Sequence, residues 1–73
     1  MTLRLKVGQI TDPKDVLVDG DSTVDNVIAQ YNLTGEITHN GAAISQNIRK
    51  KTLSELGFQD GDYLCSARKN GGN

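Results

Sequence analysis

The sequence has little of what staples, anchors or charges a protein. It holds one cysteine, Cys65, so no intrachain disulfide can form. That excludes the disulfide scaffolds of small secreted domains and fits a reducing compartment. There is no tryptophan, and the aromatics are Tyr31, Phe58 and Tyr63, too few for a platform on which bases stack. Neither sign of charge is in excess: eight Lys and Arg stand against nine Asp and Glu, for a net charge of −1. A nucleic-acid binder needs a clustered basic excess. The one cationic run, Arg49–Lys50–Lys51, reads as a solvated loop. Long apolar runs are missing too. The first seven residues alternate in character, which leaves no core for a signal peptide, and no segment is long enough to cross a membrane. The cytoplasm is the expected compartment, with no nucleic-acid or membrane partner.

Length sets further bounds. A chain of 73 residues reads as one domain, and such a domain buries only about 60% of its unfolded surface. It is not expected to enclose a pocket of ordinary size, about 300 Å³ or more, and so is not expected to be an enzyme. No His/Cys cluster is available to hold a metal. No glycine pattern of the phosphate-binding kind is present. No cofactor is expected.

What is present is periodic. Met1, Leu3, Leu5 and Val7 alternate with Thr2, Arg4 and Lys6, the pattern of a half-buried strand. Gly8 to Pro13 reads as a turn, and Lys14–Asp19, with Val16, Leu17 and Val18, as a second strand. Ser22 or Thr23 can cap a helix, with Asp25 near its positive end. Val24, Val27, Ile28 and Tyr31 fall on one helical face. The helix is expected to end near Asn32, with Gly35 just beyond. Asn40–Gly41 is a strong hairpin signal, placing a third strand near 36–40 and a short fourth near 42–44. Ser45 to Lys51 reads as polar loop. Thr52 to Gly57 reads as a short helical turn, after which Phe58 plugs the core. Asp60–Gly61–Asp62 is a turn, and Tyr63 to Arg68 is the last strand. Residues 1–68 thus form the domain, and 69–73 a polar, flexible tail. A sheet folded over one amphipathic helix is an α+β design.

That order of elements resembles the ubiquitin-like β-grasp modifiers, over Met1 to Gly72. The carriers of the resemblance are Met1-Thr-Leu-Arg-Leu-Lys6, Ser22-Thr-Val-Asp-Asn-Val27, the Asn40–Gly41 turn with Ala-Ala-Ile44, and Thr52-Leu-Ser-Glu-Leu-Gly57 followed by Asp60-Gly-Asp62. It ends in Gly71–Gly72. The resemblance implies a mixed sheet of four to five strands on one helix. It also implies a monomeric protein modifier, which contributes no catalytic group of its own. Its partners would be an adenylating activating enzyme, a conjugating enzyme, a processing peptidase and target proteins. In such proteins the terminal glycine carboxylate is adenylated, passed as a thioester to cysteines, and transferred to an amine. Two residues without Cβ can thread a narrow tunnel. Asn73 departs from the pattern, because it locks the Gly72 carboxylate in a peptide bond. By resemblance, Gly72–Asn73 is then a processing bond and Gly72 the latent reactive terminus. The plainer reading is a glycine-rich tail with no such role.

The same resemblance places a recognition surface at Thr38, Cys65, Ala67 and Arg68, more polar and smaller than its counterpart in ubiquitin. This implies a dedicated enzyme set and not the ubiquitin machinery, and it resembles the compact modifiers that bacteria encode beside activating, conjugating and peptidase-like proteins. Lys6 matches an acceptor lysine in position. A sulfur carrier, using a thiocarboxylate at the same glycine, and an unconjugated adaptor are the alternatives; Asn73 counts against the carrier. Other features have plain readings. Cys65 is expected to act as a small hydrophobe, and His39 as an exposed turn residue. Leu17 points outward if a bulge separates Val16 from Val18. Either Tyr63 and Cys65 or Leu64 and Ser66 face the core.

Overall fold

Strict alternation along the N-terminal segment produces strand β1, Thr2–Gln9, in a computed structural model that describes residues 1–67. Leu3, Leu5 and Val7 are buried on one side, while Arg4 between them is exposed. Strand β2, Asp12–Asp19, pairs antiparallel with β1 in unbroken register from Thr2–Asp19 to Gln9–Asp12. No bulge is needed to turn Leu17 outward. Simple alternation does so, leaving it 64% exposed between half-buried Val16 and buried Val18.

Both strands run further into the expected turn than the glycine and proline suggest. Gly8 lies within β1 at φ +147°, opposite Pro13, and a Cβ there would approach the Asp12 carbonyl oxygen to 3.1 Å. It is a point of close backbone approach, not a breaker. Pro13 is tolerated because β2 is the edge of the sheet, where a missing N–H breaks no ladder.

Helix α1, Val24–Tyr31, starts at Thr23, whose Oγ1 accepts the Asn26 N–H at 3.2 Å. The two N–H groups ahead of it are satisfied by the basic loop. Val24 donates to the Lys51 carbonyl at 3.3 Å and Asp25 to the Arg49 carbonyl at 3.0 Å. The orphan donors of a helix start must find acceptors, and here backbone carbonyls supply them. Val24 and Val27 are fully buried, and Ile28 and Tyr31 pack partly buried against the core. Asn32 ends the helix in the left-handed region at φ 54°.

Strand β3, Glu36–His39, turns at Asn40 and Gly41, both at positive φ, into the two-residue strand β4, Ala42–Ala43. A 3-10 turn at Gln46–Ile48 interrupts what reads in sequence as loop. Thr52 and Glu55 then bond reciprocally: the Thr52 N–H donates to Glu55 Oε1 at 2.9 Å, and the Glu55 N–H to Thr52 Oγ1 at 3.1 Å. This is the geometry of a capping box, and it presents Leu53 and Phe58 to the interior, 0% and 3% exposed.

Strand β5, Tyr63–Ala67, completes the sheet in the order β2-β1-β5-β3-β4, parallel to β1 and antiparallel to β3. One helix packed against a mixed five-stranded sheet is the expected α+β arrangement, compatible with a β-grasp fold. Leu64 and Ser66 face the helix side, 0% and 1% exposed. No helix among the described residues is long and apolar enough to cross a membrane.

Candidate recognition surface

The face of the sheet away from the helix is organised by register. Gly8 sits beside Cys65, Cys65 beside Thr38, and Thr38 beside Ala43, in one row across four strands. Lys6 pairs with Tyr63 on one side of that row, and Ala67 with Glu36 on the other. Thr38, Cys65 and Ala67 are thus brought to one patch. Arg68, Gly71, Gly72 and Asn73 lie outside the described residues.

The patch differs from expectation in depth. Thr38 and Cys65 are buried, 6% and 3% exposed, and do not form an outer contact surface. They are small residues at the middle of the sheet, and larger side chains rise beside them. Ile10, Thr38, Asn40, Gly41, Tyr63 and Cys65 line an open groove of about 290 Å³, with Thr38 and Cys65 at its floor. Ile10 and Tyr63 are 54% and 42% exposed, so its accessible apolar surface comes from them. Sequence reasoning missed both. The one available signal was an isoleucine in an otherwise polar turn.

The floor is held by polar bonds. Thr38 Oγ1 donates to the Cys65 carbonyl at 3.2 Å, which satisfies a buried hydroxyl. The Cys65 thiol points to the Lys6 carbonyl, 3.8 Å away. Burial pushes the thiol pKa up, so the thiolate is disfavoured and the group is a poor nucleophile. It behaves as the small hydrophobe that the sequence suggests.

Lys6 is not a free amine. Its Nζ donates to Asp15 Oδ1 at 2.9 Å. That hydrogen bond, and then the charge of Asp15, raise the ammonium pKa and lower that of the carboxylate. Only an uncharged amine attacks an acyl carbon, so this pairing lowers the reactivity of Lys6 as an acceptor. A second depression, about 470 Å³ and open, lies on the helix side between the hairpin and Tyr31, lined by Val7, Gln9, Lys14 and Val16 among others.

His39 corrects its sequence reading. It is the last residue of β3, not an exposed turn residue, and its side chain is only 24% exposed. Its Nε2–H donates to Asp62 Oδ2 at 2.8 Å, and its ring stacks on Phe58 with centroids 3.7 Å apart. The side-chain position points to the helix side because Thr38, one residue earlier, points to the other. The hydrogen bond from His39 is the main cause that holds the Asp62 carboxyl below its ordinary pKa; the Gln59 N–H adds to it and burial opposes it.

Comparison with protein-family models, with curated proteins and with solved structures finds no match to this chain.

Proposed function

We propose that the chain is a ubiquitin-like protein modifier, processed after Gly72 and conjugated through the Gly72 carboxylate to target amines. The observation that carries this reading is Gly71–Gly72 following closely on a β-grasp domain. Residue Ala67, the last of β5, lies at the centre of the sheet, four positions before Gly71. A reactive end leaving a central strand is tethered to the most stable part of a domain. An enzyme that grips the domain then controls where the glycines go. Residues without Cβ suit a confined acyl-transfer site, and the nucleophilic cysteines would belong to the activating and conjugating enzymes. The domain itself would not be an enzyme. A peptidase would free Gly72 from Asn73, and the cytoplasm would house the pathway.

The groove bounded by Ile10 and Tyr63 is the surface these partners would read. Its shape supports a narrow contact rather than a broad apolar one: Ile10 and Tyr63 are its exposed apolar residues, and Thr38 and Cys65 are recessed between them. Mass spectrometry of the protein from its native cells tests the reading. The expected result is loss of Asn73 and an isopeptide bond between Gly72 and target lysines. Exchange of a terminal oxygen for sulfur would instead identify a sulfur carrier. Uniform retention of Asn73 without adducts would sink both and leave an unconjugated adaptor.

A further inference from the structure

Two asparagines in the chain are followed by glycine, Asn40–Gly41 and Asn70–Gly71. The second step lies outside the described residues. An asparagine carries its own electrophile, the side-chain carboxamide carbon, which the nitrogen of the next residue can reach through a five-membered ring. A side chain on that next residue shields the nitrogen, as Val27, Leu33 and Ile48 do after Asn26, Asn32 and Asn47. Glycine leaves it bare. There is also room around Gly41: both turn residues are exposed, and a Cβ built on Gly41 would meet nothing within 4 Å.

The fold holds this step closed. Asn40 and Gly41 sit at φ 53° and 90°, between the paired residues His39 and Ala42. The Asn40 N–H donates to the Tyr63 carbonyl at 2.9 Å, and the Tyr63 N–H to Asn40 Oδ1 at 2.8 Å. Strand pairing thus fixes the backbone, and the Tyr63 N–H fixes the carboxamide. The Gly41 nitrogen closes on Asn40 Cγ only when the turn opens. Strand β4, two residues long and at the sheet edge, is weakly held, and such segments open locally without global unfolding.

We propose that Asn40–Gly41 is a self-modification site: when the β3–β4 turn opens, the Gly41 nitrogen displaces ammonia from the Asn40 side chain, and the product permanently alters the rim of the groove. In the first step the Gly41 nitrogen gives its proton to solvent base and bonds to Asn40 Cγ. The Cγ–Nδ2 bond breaks, and ammonia leaves with a proton from water. Water then opens the cyclic imide. Opening at Cγ restores the main chain with an aspartate. Opening at the Asn40 backbone carbonyl carbon reroutes the chain through the side chain, as isoaspartate. One water is consumed and one ammonia released, with no oxidant or reductant.

Either product puts a carboxylate where a carboxamide stood. The carboxamide suits its place: after the His39 bond and the Gln59 N–H, and against the effect of burial, a hydrogen bond from Asn40 helps to hold the Asp62 carboxyl low. A carboxylate there repels Asp62 instead. Isoaspartate also adds a main-chain carbon to a two-residue turn, which the His39–Ala42 register does not accommodate. Asn40, Gly41 and Tyr63 all line the groove. The chemistry stands whether or not the groove receives a partner; only an effect on binding rests on the proposed function.

Incubation of the whole chain at mildly alkaline pH, folded and in urea, with peptide mapping of position 40, tests the proposal. Breaking the two hydrogen bonds to Tyr63 lowers the open population by a factor of about 5–150. Aspartate and isoaspartate are therefore expected at position 40 in the folded protein, forming more slowly than in urea by that factor. Asn70 in the same digest is the control that the reaction is running. Conversion at Asn70 with none at position 40, over a time that allows for an about 150-fold slower reaction, overturns the proposal. Equal rates at position 40 in folded and unfolded protein also overturn it, because the turn would then exert no hold. The converted protein, separated by ion exchange, is then followed by amide hydrogen exchange. The Tyr63 amide should exchange about fivefold faster or more; unchanged protection refutes the effect on the rim.

Discussion

Truncation of Leu53 to alanine is expected to remove a large part of the stability of this domain. Leu53 is 0% exposed although it lies in no helix or strand. Its backbone is pinned on both sides: its N–H donates to the Ser22 carbonyl at 2.9 Å, and its carbonyl accepts the Phe58 N–H at 3.0 Å. The Thr52–Glu55 capping bonds hold the same turn. Leucine-to-alanine changes at buried sites cost about 2.7–5 kcal/mol, more where the surroundings cannot collapse into the cavity. A backbone fixed at Ser22 and Phe58 cannot follow the missing side chain, so the upper part of that range, about 3.5–5 kcal/mol, applies. At about 0.05–0.15 kcal/mol per residue, a domain of this length has about 4–11 kcal/mol in all. Urea unfolding followed by far-UV circular dichroism suits a chain without tryptophan. At an m-value of about 1 kcal/mol/M, the midpoint should fall by about 3.5–5 M, or the variant should be unfolded from the start. Leu17→Ala is the control. Leu17 is 64% exposed, and its truncation should stay within about 0.5 kcal/mol. A loss below about 1.5 kcal/mol for Leu53→Ala, or an equal loss for both variants, would refute the reasoning.

Further outcomes follow from single features. Gly8→Ala should destabilise by about 1–3 kcal/mol in the same assay, because it forces a side chain onto φ +147° and against the Asp12 carbonyl. Thr52→Ala should cost about 1 kcal/mol through the lost cap, with Glu55→Gln costing less. Cys65 should resist iodoacetamide in the folded protein and react on unfolding in urea, since it is 3% exposed and its thiol pKa is raised by burial; fast native-state alkylation would show that the groove floor opens. Asp62, Asp15 and Glu55 all have lowered carboxyl pKa values, first through hydrogen bonds from His39, Lys6 and the Thr52 N–H. The stability they contribute is therefore present above the ordinary carboxylate range and lost as pH falls through their folded values. An acid titration of the urea midpoint should decline below about pH 4, and Asp62→Asn should flatten part of that decline.

Much of the fold was legible because its signals are local. The alternation of Leu3, Leu5 and Val7, the helical face of Val24, Val27, Ile28 and Tyr31, and the Asn40–Gly41 turn each follow from a period or a backbone preference. The misreadings share a cause: what decided them lies far off in sequence. Gly8 and Pro13 look like strand breakers, yet each faces the other across a hairpin at the sheet edge, where both are tolerated. His39 sits next to a turn signal, and only its contacts with Asp62 and Phe58 make it half-buried. At the candidate surface, alternation with resemblance brought Thr38, Cys65 and Ala67 together. It gave no measure of depth. That depends on Ile10 and Tyr63, which rise from two other parts of the chain to flank a recessed floor.

The position of β5 has a consequence for how the protein is made. Without it the sheet is two separate hairpins, β1 with β2 and β3 with β4, which share no ladder. An isolated hairpin is marginal in water. The strand that joins them is the last of the described elements to be synthesised, and its parallel partner β1 is the first, so the defining pairing closes the longest loop available. A nascent chain still lacking Tyr63–Ala67 therefore has no complete sheet to fold into. The complete sheet forms only once β5 has been made and is free to pair with both hairpins.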